Sequence, residues 1–302
     1  MRAVGPHAAL LAVVLALGCG DSATPGSGPA GGEFRLLSYN VAGLPEGISS
    51  SHPARFMPMI GPKLDAYDLV LVQESWQTPE PNPFAPTRTY HEELVARADH
   101  PYQSVPATAP LGGDPRRPDA VLADGLNRFS RFPFDPVTRV AWKGCDNTAA
   151  DCLALKGFSF ARTRLAGGVE IDVYNLHMEA GGSPSDERLR GEGIAQVLEA
   201  LRDHSAGRGV IVAGDFNLHT DDEPDRSQYA TLLREAGLTD SCDRLDCPEP
   251  GRIDKVAFRS GRGVALEALS RRFETDVFTS PDGEPLSDHD ALTVRFAWRP
   301  TD

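Results

Sequence analysis

Residues able to bind a metal ion and to move a proton stand at the ends of several apolar segments in this sequence. Near the C-terminus, Asp288 and His289 precede the apolar segment 292–296. A carboxylate beside an imidazole can hold a divalent cation and generate a nucleophilic water at one point. The dipeptide alone is weak, and it gains weight from four similar sites earlier in the chain: Asn40, Glu74, His177, and Asp215 with Asn217.

The segment 210–217 is the most specific of these sites. In this segment an apolar strand leads into a turn at Gly214. Asp215 and Asn217 follow at positions i and i+2, on one side of extended backbone. Hard divalent cations prefer such oxygen ligands. Asn40 and Glu74 close apolar strands in the same manner, at the carboxyl end where open α/β sheets usually place ligands. For each alone, the alternative is a polar residue that only ends a strand, and a lone histidine such as His177 is more often structural.

The elements that must position these residues are strands mixed with helices. This mixture predicts an α/β sandwich, and we find no internal repeat or composition break inside residues 33–302, which we interpret as one domain. Residues 75–120, rich in Pro and polar residues, are expected to run as long excursions over one face. Periodicity predicts strands at 34–39, 69–72, 158–165, 169–176, 210–213, 253–258 and 292–296, and helices at 185–204 and 227–236.

The N-terminus is typical of an export signal. Arg2 is followed by an uncharged apolar stretch, residues 8–17, which is too short to span a bilayer as a helix, so residues 1–18 are predicted to be a signal peptide. Gly18 and Cys19 resemble the end of a bacterial lipoprotein signal, in which Cys19 would carry the lipid, and simple secretion is the alternative. Residues 19–32 would then form the anchor and a flexible tether. We therefore predict an exported protein attached to the cell envelope.

The remaining cysteines form two close pairs in polar sequence. Cys145 lies near Cys152, and Cys242 lies near Cys247. In an oxidising compartment such local pairs usually form disulfides that staple loops. A zinc site is the alternative, although neither spacing is CxxC and no His lies nearby.

Composition restricts the class of partner. The 302 residues are 40% hydrophobic and 24% charged, with a formal net charge of −13 at pH 7. A chain this acidic has no generic attraction for polyanions, and it contains no Lys/Arg run of the nucleic-acid-binding kind. A bound cation would have to mediate contact with an anionic substrate.

Taken in order, these motifs resemble the endonuclease/exonuclease/phosphatase superfamily, over residues 34–296 or so. That superfamily includes deoxyribonuclease I, abasic-site endonucleases, bacterial sphingomyelinases and inositol polyphosphate 5-phosphatases. The resemblance implies a four-layer α/β sandwich, with two packed mixed β-sheets flanked by helices and the active site at one edge. It is carried by Tyr39-Asn40, Gln73-Glu74, Leu176-His177, Gly214-Asp215-Phe216-Asn217 and Ser287-Asp288-His289.

The resemblance also implies a role for each matched residue. Glu74 would be the principal Mg²⁺ ligand, assisted by Asn40, with Mn²⁺ or Ca²⁺ as alternative cations. Asp215 and Asn217 would hold the scissile phosphate, the attacking water or a second ion. His289 would be the general base, with Asp288 alongside as a metal ligand. His177 would donate a hydrogen bond or a proton to a phosphate oxygen.

Two further matches to the family pattern are less complete. Asp254 lies on a segment similar to the family's Asp-bearing strand and would orient the imidazole of His289, although the family often has Tyr where Lys255 stands. Residues 129–133 resemble a Ser-Arg-x-Pro turn, which suggests Arg131 as a phosphate contact. A surface Arg131 without function is the alternative.

These roles predict a Mg²⁺-dependent phosphodiesterase that acts as a monomer through a His-activated water. A phospholipid or sphingomyelin-type substrate fits a lipid-anchored, exported enzyme, and some sphingomyelinase-like members carry a tract similar to residues 186–190. An extracellular nuclease like deoxyribonuclease I is the main alternative. A catalytically idle, surface-binding lipoprotein built on the same fold is the alternative from another class.

Overall fold

The computed structural model describes residue 1 and residues 31–46, 51–77, 88–108, 117–147, 151–248 and 251–302. The predicted signal peptide, Cys19 and most of the tether lie outside the described residues. The helices are α1 (Pro53–Leu64), α2 (Tyr90–Val95), α3 (Pro184–His204), α4 (Asp225–Ala236) and α5 (Ser241–Leu245). The strands are β1 (Gly32–Asn40), β2 (Leu69–Gln73), β3 (Tyr102–Gln103), β4 (Asn127–Ser130), β5 (Thr138–Ala141), β6 (Gly157–Arg164), β7 (Glu170–His177), β8 (Val210–Asp215), β9 (Thr239–Asp240), β10 (Asp254–Arg259), β11 (Ala265–Phe273) and β12 (Leu292–Arg299).

The strands form two six-stranded mixed sheets. Sheet one has the order β11-β12-β1-β2-β4-β3, and sheet two has the order β5-β6-β7-β8-β10-β9. Within each sheet one central pair is parallel, β1 with β2 and β7 with β8, and the other pairs are antiparallel. The apolar faces of the two sheets pack on each other, and helices cover the outer faces. This arrangement confirms the predicted four-layer α/β sandwich.

Strand alternation determines which side chains fill each layer. On β7, Ile171 and Val173 point into the core between the sheets, whereas Tyr174 and Leu176 pack under α3. The same division on β2 sends Leu69 into the inter-sheet core. Such double-sided burial explains the apolar runs seen in the sequence.

All seven predicted strands and both predicted helices are present, with ends that differ by at most three residues. Helix α1 was not predicted because Pro58 and Pro62 lie inside it, and proline removes a helical hydrogen bond. Tertiary packing outweighs that cost. Its buried face covers the outer side of sheet one through Phe56, Met57, Ile60 and Leu64.

The described residues also test the predictions on cysteines and on membrane crossing. Disulfides join Cys145 to Cys152 and Cys242 to Cys247, which confirms both pairs. Residues 75–120, expected to be irregular, contain α2 and β3 in their described part. Within the described ranges, none of the helices has the length and apolar character needed to cross a membrane.

Candidate active site

The predicted site residues meet where the central strands end. Asn40 and Gln73 are register partners at the ends of β1 and β2, and His177 and Asp215 are partners at the ends of β7 and β8. Because both pairs are parallel, their carboxyl ends lie at one edge of the sandwich. Strand β10 runs the other way, so Asp254 at its start lies opposite Asp215. We call this side of the molecule the catalytic edge.

Asn40 joins the two sheets at the centre of the catalytic edge. Its Nδ2 lies 3.0 Å from Glu74 Oε1, 3.1 Å from Asp215 Oδ2 and 3.4 Å from His289 Nε2. Its Oδ1 accepts a hydrogen bond from the Ala42 amide at 3.0 Å. In this form of the site the amide nitrogen of Asn40 faces the carboxylates, and its predicted role as a metal ligand stays a prediction.

Asp215 is the most connected carboxylate of the site. Its Oδ1 accepts from the Asn217 amide at 3.0 Å, and its Oδ2 lies 3.4 Å from His177 Nε2. Burial, followed by the charge of Asp254, raises the pKa of the Asp215 carboxyl above its ordinary value. A buried carboxylate with another acid beside it favours a proton or a cation as its neighbour.

His177 and Asn217 complete the wall next to Asp215. Burial, with the charges of Lys156 and His289, lowers the pKa of His177 well below its ordinary value, so this imidazole is neutral. A neutral imidazole can donate one hydrogen bond to a phosphate oxygen. Asn217 is fixed by a bond of 3.1 Å from its Nδ2 to the Met178 carbonyl.

His289 and Asp254 form a hydrogen-bonded pair at the catalytic edge. His289 Nδ1 lies 2.8 Å from Asp254 Oδ2, and its Nε2 lies 3.7 Å from Asp215 Oδ2. Burial lowers the pKa of His289, but the hydrogen bond and charge of Asp254, with the charges of Asp215 and Asp288, outweigh burial and raise it to about 10. The structure therefore places Asp254 where it can orient the imidazole, with Nε2 directed at the centre of the site.

Unusual backbone conformations deliver the polar side chains. Glu74 and Asn217 have φ angles of 56° and 49°, in the left-handed region that is uncommon for residues other than glycine. Gly214 has a φ of 144°, and a Cβ there would lie 2.0 Å from the Leu176 carbonyl oxygen. The close approach of β7 and β8 thus requires glycine at position 214. Local backbone strain of this kind is typical of functional sites.

A cleft of about 340 Å³ opens over the catalytic edge. A positively charged side chain that the sequence analysis did not identify, that of Lys156, lies in its lining. Lys156 lines this cleft, is only 6% exposed and pairs its Nζ with Asp151 Oδ1. Its charge lowers the pKa of Glu74 and Asp215 against the effect of burial. The available signal in the sequence was a single lysine directly before the apolar strand β6. Lysine is almost never fully buried unless it is paired, so a lysine at such a position indicates a buried partner. Apolar residues also line the cleft: Leu44, Trp76, Leu122, Leu153 and Ala154.

Two predicted site residues, Arg131 and Asp288, do not lie at the centre of the catalytic edge. Arg131 follows Ser130, which pairs with Leu69 at the start of β2, whereas Glu74 follows the end of that strand. Its guanidinium donates to the Asp65 carbonyl at 2.7 Å. The structure therefore does not bring Arg131 to the catalytic edge, because the turn lies at the opposite edge of sheet one, and its predicted phosphate contact stays a prediction.

Asp288 is close to the site but exposed. Its Oδ1 accepts from Ser287 Oγ at 3.3 Å, while that same hydroxyl donates to the Asn40 carbonyl at 2.7 Å. The charge of Asp288 raises the pKa of Glu74. Its effect on the site is thus electrostatic in this form, and its predicted role as a metal ligand stays a prediction.

The tract at residues 186–190 acts on a loop of the site. Arg190 is 2% exposed, pairs with Asp225 at 3.0 Å and donates to the carbonyls of Glu179 and Gly181. These bonds hold the loop that follows His177. A buried arginine paired in this way fixes loop position by geometry, since its planar donors have one favourable arrangement.

The donor chemistry of the site fits Mg²⁺. Carboxylate oxygens of Glu74 and Asp215 both contact the Asn40 amide, so one small cation could lie near both. In the described part of the chain, His, Cys, Asp and Glu side chains do not form a closed metal-binding group of three or more. Mg²⁺ usually binds one or two carboxylates and completes its shell with waters and substrate phosphate, which this open arrangement permits.

Comparison with known proteins places this geometry in a family. A model of the endonuclease/exonuclease/phosphatase family matches residues 37–289. Sphingomyelinases of Mycobacterium bovis and Mycobacterium tuberculosis are each 36% identical over 285 residues, covering 88% of this chain and 53% of theirs. The chain thus spans about half the length of the curated relatives it matches.

Solved structures share the fold at low identity. A beta toxin mutant from Staphylococcus aureus with bound magnesium ions has a TM-score of 0.61 and 14% identity, covering 87% of this chain and 99% of its own. Sphingomyelinase C from Streptomyces griseocarneus has a TM-score of 0.59 and 19% identity, covering 87% and 99%. D. rerio TDP2 complexed with a single-strand DNA product has a TM-score of 0.61 and 18% identity, covering 87% and 98%. Since the matched region 37–289 contains the site from Asn40 to His289, the chain belongs to the endonuclease/exonuclease/phosphatase family.

Proposed function

We propose that this protein is a Mg²⁺-dependent phosphodiesterase that hydrolyses a sphingomyelin-type or other phospholipid phosphodiester. The observation that carries the proposal is the 2.8 Å contact between His289 and Asp254 beside the carboxylates of Glu74 and Asp215. An oriented imidazole next to a site for a divalent cation is the arrangement needed to activate water against an anionic ester.

The side chains of the chain divide the reaction between them. Asp254 accepts a hydrogen bond from Nδ1 of His289, and a divalent cation held by Glu74 and Asp215 would offset the carboxylate charges that raise the pKa of His289, so that Nε2 could take a proton from the attacking water. Lys156 and His177 line the cleft, where they would offer positive charge and a hydrogen bond to the phosphate oxygens of a bound substrate. Preorganised donors of this kind stabilise the charge that develops in the transition state.

Glu74 and Asp215, with Asn40 beside them, are the residues that would hold Mg²⁺. When bound, the ion would neutralise charge on the nonbridging phosphate oxygens. The magnesium bound in the related fold of Staphylococcus aureus beta toxin supports this choice of ion. Mn²⁺ and Ca²⁺ are the alternatives to compare with it.

The choice of a lipid substrate rests on two observations. The mycobacterial relatives at 36% identity are sphingomyelinases. Apolar as well as charged side chains line the cleft, which suits a substrate with an apolar part. A nuclease is the second candidate, favoured by the fold shared with TDP2 bound to a DNA product, although the net charge of −13 opposes binding of a polyanion.

Export and anchoring belong to the same proposal. Two disulfides fit an oxidising compartment. Residues 1–18 would direct export, Cys19 would carry a lipid, and residues 33–302 would act as a monomeric catalytic domain at a membrane surface.

The test is a comparison of substrates in the presence and absence of Mg²⁺. Purified protein is assayed on sphingomyelin vesicles, phosphatidylcholine vesicles and plasmid DNA, beside the Glu74→Gln and His289→Ala variants. We expect Mg²⁺-dependent cleavage of a phospholipid that both variants lose. Cleavage of DNA alone would favour the nuclease, and absence of turnover on every substrate, or full turnover by both folded variants, would refute the proposed activity.

A further inference from the structure

A buried amide pair crosses from one sheet to the other just below the catalytic edge. Gln73 on β2 and Asn175 on β7 are both fully buried, and Gln73 Nε2 donates to Asn175 Oδ1 at 2.7 Å. Asn175 Nδ2 donates in turn to the Val72 carbonyl at 2.9 Å and to the Asn127 carbonyl at 3.3 Å. One side chain of sheet two therefore makes three hydrogen bonds to sheet one.

The position of this pair links it to the catalytic residues of both sheets. Gln73 immediately precedes Glu74, and Asn175 stands two residues before His177 on the same face of β7. Glu74 and Asn40 belong to sheet one, whereas His177 and Asp215 belong to sheet two. The site works only if these two groups keep a fixed separation, since Asn40 must reach Glu74 and Asp215 together.

Apolar packing supplies no such fixed separation. The neighbouring inward residues of the same strands, Leu71 and Val173, make non-directional contacts. Burying amides between sheets costs free energy unless each is paired, whereas paired amides specify one geometry. A buried amide pair at this position therefore fixes the separation of the two sheets rather than adding apolar burial.

We infer that Gln73 and Asn175 are positioning residues, an inter-sheet clamp that fixes the distance between the two halves of the active site. The inference rests on the proposed phosphodiesterase function. Loosening the clamp should move Glu74 and Asn40 relative to Asp215 and His177 while both sheets stay intact. A misplacement of about 1 Å in such a site can cost about 100-fold in rate.

The variants separate positioning from general stability. Asn175→Leu removes all three bonds. Gln73→Met removes the amide pair and the longer contacts of Gln73 Nε2 with Ser38 Oγ at 3.3 Å and the Leu71 carbonyl at 3.4 Å, and it leaves both bonds of Asn175 Nδ2. The matched control is Tyr174→Phe, which removes a buried 2.8 Å contact between the Tyr174 hydroxyl and Ser205 Oγ. Tyr174 lies on the same strand as Asn175, on the opposite face, under α3. Removal of a buried hydrogen bond should lower the unfolding midpoint of each of them.

The measurements are the unfolding midpoint, kcat and KM at a temperature where each variant is folded, and the ¹⁵N shifts of the His289 imidazole. We expect Asn175→Leu to lower kcat about 10- to 100-fold and Gln73→Met to lower it less, with little change in KM and altered His289 shifts. Tyr174→Phe should lower the midpoint and leave kcat within about twofold. The double variant Gln73→Met/Asn175→Leu should recover stability over Asn175→Leu without recovering kcat, because both amides are then apolar.

Each result decides the inference. Wild-type kcat and unchanged His289 shifts in folded Asn175→Leu would overturn it, and so would a loss of kcat in Tyr174→Phe as large as in the clamp variants. If Asn175→Leu does not fold, the same criteria apply to Gln73→Met. If the wild type cleaves no phosphodiester, the proposed function fails separately, and the His289 shifts alone then decide the clamp.

Discussion

The space between the two sheets is apolar at one end and polar at the other. On β7 the inward side chains change from Ile171 and Val173 to Asn175 and His177 within seven residues. Four other strands show the same change along their inward face. They run from Leu36 to Asn40, from Leu69 to Gln73, from Ile211 to Asp215, and, in the reverse direction, from Phe258 to Asp254.

This contrast shows how one set of strands serves both folding and catalysis. The apolar end supplies burial, which is the main favourable term in folding. The polar end holds carboxylates whose pKa is raised and backbone in unfavourable regions. Of the four residues other than glycine with positive φ in the described ranges, Ala42, Glu74 and Asn217 lie at the catalytic edge.

The largest effect should come from the hydrogen-bonded pair of His289 and Asp254 at the polar end. His289→Ala removes the proposed general base, and we expect kcat to fall about 10²- to 10⁴-fold. The unfolding midpoint should fall as well, because the buried Asp254 loses its 2.8 Å partner, so kcat is measured at a temperature where the variant is folded. A His289→Ala enzyme that keeps more than a tenth of wild-type kcat would assign the base to another group.

How much of this contrast was visible in the sequence depends on the periodicity of each strand. The change from apolar to polar on β7 and β8 follows a strict period of two, so His177 and Asp215 were predicted correctly at the carboxyl ends of strands. Strand β11 was not predicted because its exposed positions include Glu267 and Arg272 and a bulge interrupts its pairing between Ala268 and Ser270.

Residues placed by loops were harder to predict than residues placed by strands. Arg131 was assigned from a four-residue turn motif, and no periodic pattern showed that this turn lies at the edge of the sheet opposite the catalytic edge. Lys156 was missed because its burial depends on Asp151, a partner in the preceding loop. Tertiary context of this kind is not contained in local sequence patterns.

The apolar end should show the opposite response to substitution. Ile171→Ala deletes a fully buried side chain of the inter-sheet core, and we expect it to lower the free energy of unfolding by about 2–5 kcal/mol. Its kcat, measured where the protein is folded, should stay within about twofold because the site lies at the other end of the strand. Urea unfolding and steady-state kinetics test both halves of this expectation. A large loss of kcat in folded Ile171→Ala would show that the two ends are coupled.

A smaller effect is expected at the buried cation of the cleft. Lys156→Met keeps the length of the side chain and removes its charge, and we expect kcat/KM to fall about 10- to 100-fold because that charge is shared with Asp151. Lys143→Met is the matched control, since Lys143 is exposed on the segment that leads into the Cys145–Cys152 loop. Equal activity of the two variants would place the Lys156 charge outside the reaction.

The smallest effect should measure what the polar end costs in stability. Burial, with the charge of Asp151, raises the pKa of Glu179 from 4.5 to about 7, against the opposing effects of its bond from the Asp146 amide and the charges of Lys156 and Arg117. Between those pH values the folded chain keeps a proton that the unfolded chain loses, so this carboxyl makes stability fall as pH rises. Glu179→Gln abolishes that titration and can keep the bond from the Asp146 amide.

We therefore expect Glu179→Gln and the wild type to unfold with similar free energy near pH 4.5 and to diverge as pH rises through 7. At pH 7.5 the variant should be more stable by on the order of 1–3 kcal/mol. Urea unfolding at several pH values measures the difference, and Glu199→Gln, at an exposed position of α3, should leave the wild-type slope unchanged. A difference that does not grow with pH would mean that the ionised Glu179 is fully compensated by Lys156 and Arg117. The two ends of the sandwich would then differ in catalytic chemistry, and the loop that holds Glu179 would carry no cost in stability.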